Sequence, residues 1–359
     1  MDAAFIMKTR LVLAVVSLAA IGLRAAAPAR VIVELADGSQ LRGSLAPLSL
    51  AVDSPALGKL QLDFDRIATL VRDGSGVKIT LRNGDHFGGV LSLPQITVRT
   101  LVGELNVPLA QLRQLETLDA DGVPTSLMAS LVWRPRLEQA TRQQIPSDGV
   151  PRLVTKVTGA RFTTDHRGRT NAAVLLTDRQ SRLEAQGAAG QKFMSAITVC
   201  GWIKIEGAKL QEPACLVGLG SARRAHAALL YGEEEGLIWV SEGGHNNMMN
   251  RPLDPSEWTF VAGTRERSAL ALYINGVLVQ TQPADGHGML GSPDIFVAGH
   301  QPQGWGDEAQ APVADPAEPA KQDEGEAPPR AKISLADVRI YSRALSAEEI
   351  KRLYEATKE

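Results

Sequence analysis

The sequence predicts an all-β protein: a small β domain built by duplication, then a larger antiparallel β-sandwich closed by one short C-terminal helix. Three observations carry this. Short segments of strand-like residues recur between Asp-Gly, Asn-Gly and other turn signals almost to the end of the chain. Residues 31–45 and 77–91 repeat one pattern. The strongest helix-start signal, Ser346-Ala-Glu-Glu349, comes only at the C-terminus.

Composition bounds the rest. The chain has 359 residues, 44% apolar and 22% charged, which is globular composition and too long for one small domain. A net charge of -2 supplies no basic face for nucleic acid. Two cysteines are too few for a disulfide scaffold or a Cys-based zinc site.

Residues 1–29 read as a secretory signal. Lys8 and Arg10 precede the 13-residue apolar run Leu11–Leu23, and Ala25, Ala26, Ala27 and Ala29 supply small residues for cleavage. As a helix that run rises only about 20 Å, short of the roughly 30 Å hydrocarbon core, so it is not read as an anchor. Removal takes away Lys8, Arg10, Arg24 and Asp2 and leaves a net charge of -4. No later run approaches membrane length. The expected location is exported: periplasm, cell envelope or extracellular.

Residues 30–118 form the expected repeat domain. Val31/Val77, Leu35/Leu81, Gly38/Gly84, Gly43/Gly89 and Leu45/Leu91 coincide, and Asp37 matches Asn83. Each copy reads as two alternating strands around an Asp-Gly or Asn-Gly turn, whose residues suit a type I′ hairpin. A further strand follows, Leu60–Phe64 or Leu105–Leu109, and then a short Ile/Leu segment. One copy cannot bury its apolar face alone, so two are expected to pack face to face. Residues 119–126 are read as a linker.

From Gly159 onward, strands are expected at Ile197–Ile205, Cys215–Gly218, Ala227–Tyr231, Leu237–Ser241, Trp258–Thr264, Leu270–Ile274, Val277–Gln280, Asp294–Gly299 and Ile333–Tyr341. Asn275-Gly276 is the strongest hairpin signal among them. After the capping box, Ile350, Leu353 and Tyr354 share one helical face.

These residues carry a resemblance. Asp337-Val-Arg-Ile-Tyr-Ser-Arg-Ala-Leu-Ser-Ala-Glu-Glu-Ile350 resembles the closing signature of LamG-like domains, the laminin G type of concanavalin A-like jelly roll. Asp165…Gly168…Asn171-Ala-Ala, Ile197-Thr-Val-Cys-Gly-Trp202, Glu257-Trp-Thr-Phe-Val-Ala-Gly-Thr264 and Tyr273-Ile-Asn-Gly276 follow the family order. The resemblance covers residues 127–359. The repeat domain is similar to duplicated modules beside such domains in envelope proteins of planctomycete-type bacteria. Two departures remove hard oxygen donors. Ala336 stands where the family often carries an acid, and the stretch near Leu175 reads Leu-Leu-Thr-Asp178-Arg. Asp178 and Asp337 remain as the carboxylates through which Ca²⁺, the one cofactor the resemblance raises, would be held; it takes six to eight oxygens. No other cofactor is expected.

Residues 306–329 interrupt the family pattern. Seven acids, five Pro and six Ala among 24 residues cannot bury enough to offset ordering entropy, so a disordered loop is expected. Cys200 and Cys215 would share an oxidising compartment. Cys215 opens the strand expected to return antiparallel beside that of Cys200, so a structural disulfide is expected between them.

Catalytic patterns are missing. Neither Glu-x-Asp-x-Glu nor Glu-x-Asp-x-x-Glu occurs, and Glu233-Glu234-Glu235 is consecutive at a loop tip. The six His stand at 86, 166, 226, 245, 287 and 300 without zinc-ligand spacing, and no Gly-x-Ser-x-Gly elbow is present. Trp202, Trp239 and Trp258 are read as core. Trp305 borders the insertion and is a candidate stacking platform. The loop Glu242–Asn250 supplies amide and imidazole groups in His245, Asn246, Asn247 and Asn250, suited to a hydroxyl-rich or peptide ligand. The leading expectation is therefore an exported, non-catalytic protein whose LamG-like domain binds a polysaccharide or an envelope or extracellular protein. A glycoside hydrolase with loop-borne carboxylates and a purely structural assembly module are the alternatives. The oligomeric state is not set by sequence.

Overall fold

The computed structural model of the chain describes residues 28–45, 49–141, 144–149, 153–177, 181–186, 196–207, 214–221, 224–232, 234–241, 248–284, 295–299 and 331–358. The expected signal run and the insertion at 306–329 lie outside them. The chain divides into two compact units, Met1–Leu118 and Asp119–Glu359.

The first unit is one ten-stranded antiparallel sheet. Its strands are β1 (Ala29–Leu35), β2 (Gln40–Leu45), β3 (Ser49–Ser54), β4 (Gly58–Asp63), β5 (Ile67–Asp73), β6 (Gly76–Leu81), β7 (His86–Leu91), β8 (Gln95–Thr100), β9 (Gly103–Pro108) and β10 (Leu112–Thr117). Their order is β4-β3-β7-β6-β5-β10-β1-β2-β8-β9. Replacing each strand by the one five places away turns this order into its own reverse, so the topology has a pseudo-two-fold between β5 and β10. The expectation of two copies packed face to face is corrected. Each half, β1–β5 and β6–β10, lends its β3–β4 or β8–β9 hairpin to the other: Val52 pairs with Leu91, and Leu45 with Val98. Leu50 of β3 and Val98 of β8, from opposite halves of the order, share one aliphatic core, so the sheet curls over itself.

Gly43 and Gly89 mark the two exchange points. A Cβ on Gly43 would stand 2.2 Å from the Arg99 carbonyl oxygen, and one on Gly89 2.5 Å from Val52 Cγ1. The borrowed hairpins approach where a side chain has no room.

The Asp37-Gly38 and Asn83-Gly84 turns also differ from expectation. Only the glycines have positive φ, and Gly38 N–H and Gly84 N–H donate to the Leu35 and Leu81 carbonyls. That is a type I turn followed by a left-handed glycine, because four residues rather than two separate the strands. Asp37 and Asn83 accept from the backbone two residues on, at Ser39 and Asp85.

The second unit is an antiparallel sandwich. One sheet runs β21-β20-β19-β18-β25-β16-β13-β12, with β12 Gln144–Asp148, β13 Val154–Thr158, β16 Arg182–Gln186, β18 Ala214–Ser221, β19 Arg224–Gly232, β20 Gly236–Ser241, β21 Met248–Arg251 and β25 Ile295–Gly299. The other runs β11-β26-β17-β22-β23-β24, with β11 Leu131–Pro135, β17 Ile197–Glu206, β22 Thr259–Glu266, β23 Ala269–Ile274, β24 Val277–Pro283 and β26 Lys332–Tyr341; the two are continuous where β11 pairs with β12, Arg134 opposite Asp148. The small strands β14 (Arg161–Thr163) and β15 (Ala173–Leu176) flank β26. Inward side chains of both sheets meet in one core around Trp133, Trp239, Leu229, Phe296 and Ile340.

Helix α1 (Ala347–Thr357) covers the outer face of the second sheet, packing Ile350 and Leu353 on Cys200, Trp202 and Phe260. Its capping box is formed: Ser346 Oγ accepts from Glu349 N–H at 3.2 Å, and Ser346 N–H donates to Glu349 at 2.9 Å. Asn275 and Gly276 both have positive φ, as a type I′ turn requires, and Tyr354 of the helix lies on Gly276.

The disulfide expectation is overturned: Cys200 and Cys215 are both free and buried. β17 pairs with β22 and β26, β18 with β19 and β25, so their strands belong to opposite sheets. Cys200 faces the helix layer and Cys215 the outer side of its own sheet beside Ala228. Each points away from the shared core of two sheets stacked about 10 Å apart. Burial pushes both thiols up to about 12. The linker expectation for 119–126 is corrected too. Asp119 Oδ1 accepts from the Asp121 and Val123 N–H groups, and Val123 is fully buried in the second unit.

Candidate functional site

Strand β26 loses register with β17 between Cys200 and Trp202. There Asp337 takes φ 46°, a left-handed conformation uncommon for a residue with a side chain. Gly201 lies opposite, where a Cβ would meet Val338 at 2.9 Å. The bulge turns the Asp337 carboxylate onto two buried arginines. Oδ1 accepts from Arg134 Nε at 2.8 Å and Arg339 Nε at 3.0 Å, and Oδ2 accepts from Arg339 Nη2 at 2.7 Å. Burial alone would push this acid up. The guanidiniums of Arg134 and Arg339 outweigh it and hold the carboxyl far below the usual carboxylate range.

The network continues outward. Asp121 Oδ2 accepts from Arg134 at 2.6 Å and Arg136 at 3.1 Å, and its Oδ1 from Arg169 at 3.3 Å. Asp165 Oδ1 accepts from the Arg167 and Arg169 N–H groups, and Oδ2 from Arg169 Nε at 2.8 Å. Beside it, the His166 ring stacks on Trp202 with centroids 3.8 Å apart, and its Nε2 bonds the Thr357 carbonyl of α1. Trp202 Nε1 donates to Thr357 Oγ1 at 3.0 Å. Burial lowers the His166 pKa, against the upward pull of the Thr357 carbonyl and Asp165. This face ties residues 119–123, β26 and the helix together.

The opposite part of the sandwich is different. β21 is an edge strand, paired only with β20 among the described residues. Met249 is buried against the core, while Met248 is 47% exposed and Asn250 and Arg251 face solvent. Beneath the strand end that leads into β21's preceding loop, Arg265 of β22 points inward at 1% exposure. Its Nη1 donates to Ser241 Oγ, at the end of β20, across 2.6 Å. His226, at a bulge of β19, is also buried.

Of the residues expected to bind ligand, Asn250 is described and exposed; His245, Asn246, Asn247 and Trp305 lie outside the described residues. Of the two candidate calcium carboxylates, Asp178 also lies outside them. Asp337 has both oxygens on guanidiniums, and no cluster of three metal-ligating side chains occurs among the described residues. Trp202 and Trp239 are core, as read; Trp258 is half-buried just before β22. Sequence reading missed Arg265 and Ser241. Strand parity was the available signal: Val261, Gly263 and Arg265 alternate inward, and Gly263 leaves the room that the Trp239 ring fills.

The second unit is an antiparallel sandwich closed by a bulge and a short helix. Residues 177–316 match the family model described as the concanavalin A-like lectin/glucanases superfamily. No curated protein matches the chain. Similar solved structures include a botulinum neurotoxin serotype D ligand binding domain in complex with N-acetylneuraminic acid (15% identity, 64% of this chain, 52% of that one, TM-score 0.47). Another is the binding domain of botulinum neurotoxin DC in complex with rat synaptotagmin II (12%, 65%, 52%, 0.47). A third is the binding domain of Paraclostridial mosquitocidal protein 1 (14%, 64%, 52%, 0.45). The chain spans about half the length of each.

Proposed function

We propose that the chain is an exported, non-catalytic protein of the periplasm, cell envelope or extracellular space. Its laminin G-like unit recognises a glycan or protein through the β21 edge and the loop Glu242–Asn250, and the repeat unit spaces or docks it. The family description covers both lectins and glucanases. The described carboxylates of this unit that are shifted serve as structural ion-pair partners. A glycosidase needs an acid held protonated near neutral pH beside a second carboxylate. Among the described residues of this unit, the carboxyls with shifted pKa, Asp121, Glu184, Asp337 and Glu349, all move downward. Each accepts hydrogen bonds from arginine. The exposed Met248–Asn250 pair offers apolar and amide contacts on one edge.

A glycan and protein array probed with residues 30–359 tests the reading. Binding is expected without turnover, weakened roughly tenfold or more by Met248→Asp with Asn250→Ala, a loss of about 1.4 kcal/mol. Undiminished binding in that variant, or cleavage of any bound sugar, refutes it.

A further inference from the structure

The two ends of the first sheet differ. Among the described residues β4 pairs with β3 alone and β9 with β8 alone, so each presents a free edge. A free edge is a template for another strand. β9 ends in Pro108, which cannot donate to a ladder, and its outer face carries Glu104 and Asn106. β4 reads Gly58-Lys-Leu-Gln-Leu-Asp63 and contains no proline. Lys59, Gln61 and Asp63 are exposed on one face, and Leu60 and Leu62 are half-buried on the other.

We propose that β4 pairs antiparallel with β4 of a second copy about Gln61, joining two first units into a symmetric dimer. In that register Lys59 of each copy stands opposite Asp63 of the other, and Gln61 opposite Gln61. Leu60 meets Leu62 on the core face, so the aliphatic core continues across the seam. Opposite charges directly across an antiparallel pair attract. The dyad makes the contact isologous and closed, with no further edge of the same kind exposed. Antiparallel pairing of β4 with a neighbour's β9 is disfavoured, because matching Gln61 to Asn106 sets Asp63 against Glu104. Leu57, 57% exposed at the β3–β4 tip, comes level with Asp65 of the second copy, at the turn Phe64–Arg66. Two ligand-binding units would then be carried on one particle, raising avidity for a repetitive polymer.

Sedimentation equilibrium of the exported chain across the micromolar range tests this. A monomer–dimer equilibrium is expected. Lys59→Asp or Asp63→Lys alone turns both cross-dyad pairs into like charges and weakens the dimer by roughly tenfold or more. The combined Lys59→Asp/Asp63→Lys variant restores it, which separates lost pairing from lost folding. Gln61→Pro abolishes it, with far-UV circular dichroism reporting that the sheet is retained. A monomer at every concentration overturns the proposal. So does a dimer indifferent to the single reversals, failure of the double variant to recover, or growth beyond the dimer.

Discussion

The two units reach order by different routes. The first joins hairpins, two of them exchanged between its halves, around an aliphatic core, and among its described residues the buried polar side chains are Ser54, Glu116 and Thr117. The second buries Arg134, Asp165, Arg265 and Arg339 and is tied by contacts distant in sequence. Arg134 and Asp337 are 203 residues apart, His166 and Thr357 191, and Trp202 and Thr357 155. A buried ionic knot is costly to open, because removing Asp337 takes from buried Arg339 the carboxylate it pairs with and leaves Arg134 held by Asp121. The contrast is measurable, since all five tryptophans (133, 202, 239, 258 and 305) lie in the second unit. Their fluorescence reports that unit alone, while circular dichroism reports both.

The largest expected effect is Asp337→Ala. It leaves Arg134 and Arg339 buried and opposed, and it should destabilise the second unit by about 3–5 kcal/mol. In urea the tryptophan transition should move to lower denaturant while the tryptophan-silent transition stays. Equal movement of both would erase the distinction between the units.

The converse comes from Gly43→Ala or Gly89→Ala. Each adds a methyl where the exchanged hairpins touch, and each should cost the first unit about 1–3 kcal/mol. Here the tryptophan-silent transition moves and the fluorescence transition does not. A null result would mean the two halves are not held at those exchange points.

A smaller effect sharpens the contrast by pH. Burial lowers the His166 pKa, so the unfolded chain binds more protons than the folded one below the ordinary imidazole value of about 6.5. Second-unit stability is therefore expected to fall as pH drops from 7 through that range, and His166→Gln should flatten the slope. Asp337 is also shifted downward from its own ordinary value, so its contribution likewise falls with falling pH, but only at much lower pH. A tryptophan-reported midpoint independent of pH between about 7 and 5 would contradict this.

What sequence could reveal follows the same division. Strand alternation, the 46-residue correspondence of Gly43 with Gly89, and the Ser346–Glu349 cap are local patterns and were legible. The Asn-Gly turn at 275–276 is type I′ because two residues join its strands. The turns at 37–38 and 83–84 are not, because four residues do, and the dipeptide alone does not report loop length. The hairpin exchange was hidden because alternation identifies a strand but not its neighbour. Asp337 looked like an oxygen donor for a cation. Its partner Arg134 lies beyond the reach of any local motif, and its left-handed conformation depends on the bulge opposite Gly201. Cys200 and Cys215 looked like a pair because only sheet membership, not spacing, separates them.

Ligand-induced stabilisation tests the central claim most directly. A compound that binds only the folded second unit raises that unit's stability alone, by about 2.7 kcal/mol at a hundredfold excess over its Kd. With the glycan or protein selected by the array, the tryptophan-reported urea transition should rise by that amount, the tryptophan-silent transition should stay, and the ligand should be recovered intact. A rise confined to the tryptophan-silent transition would place recognition in the first unit and contradict the account, as would a cleaved ligand.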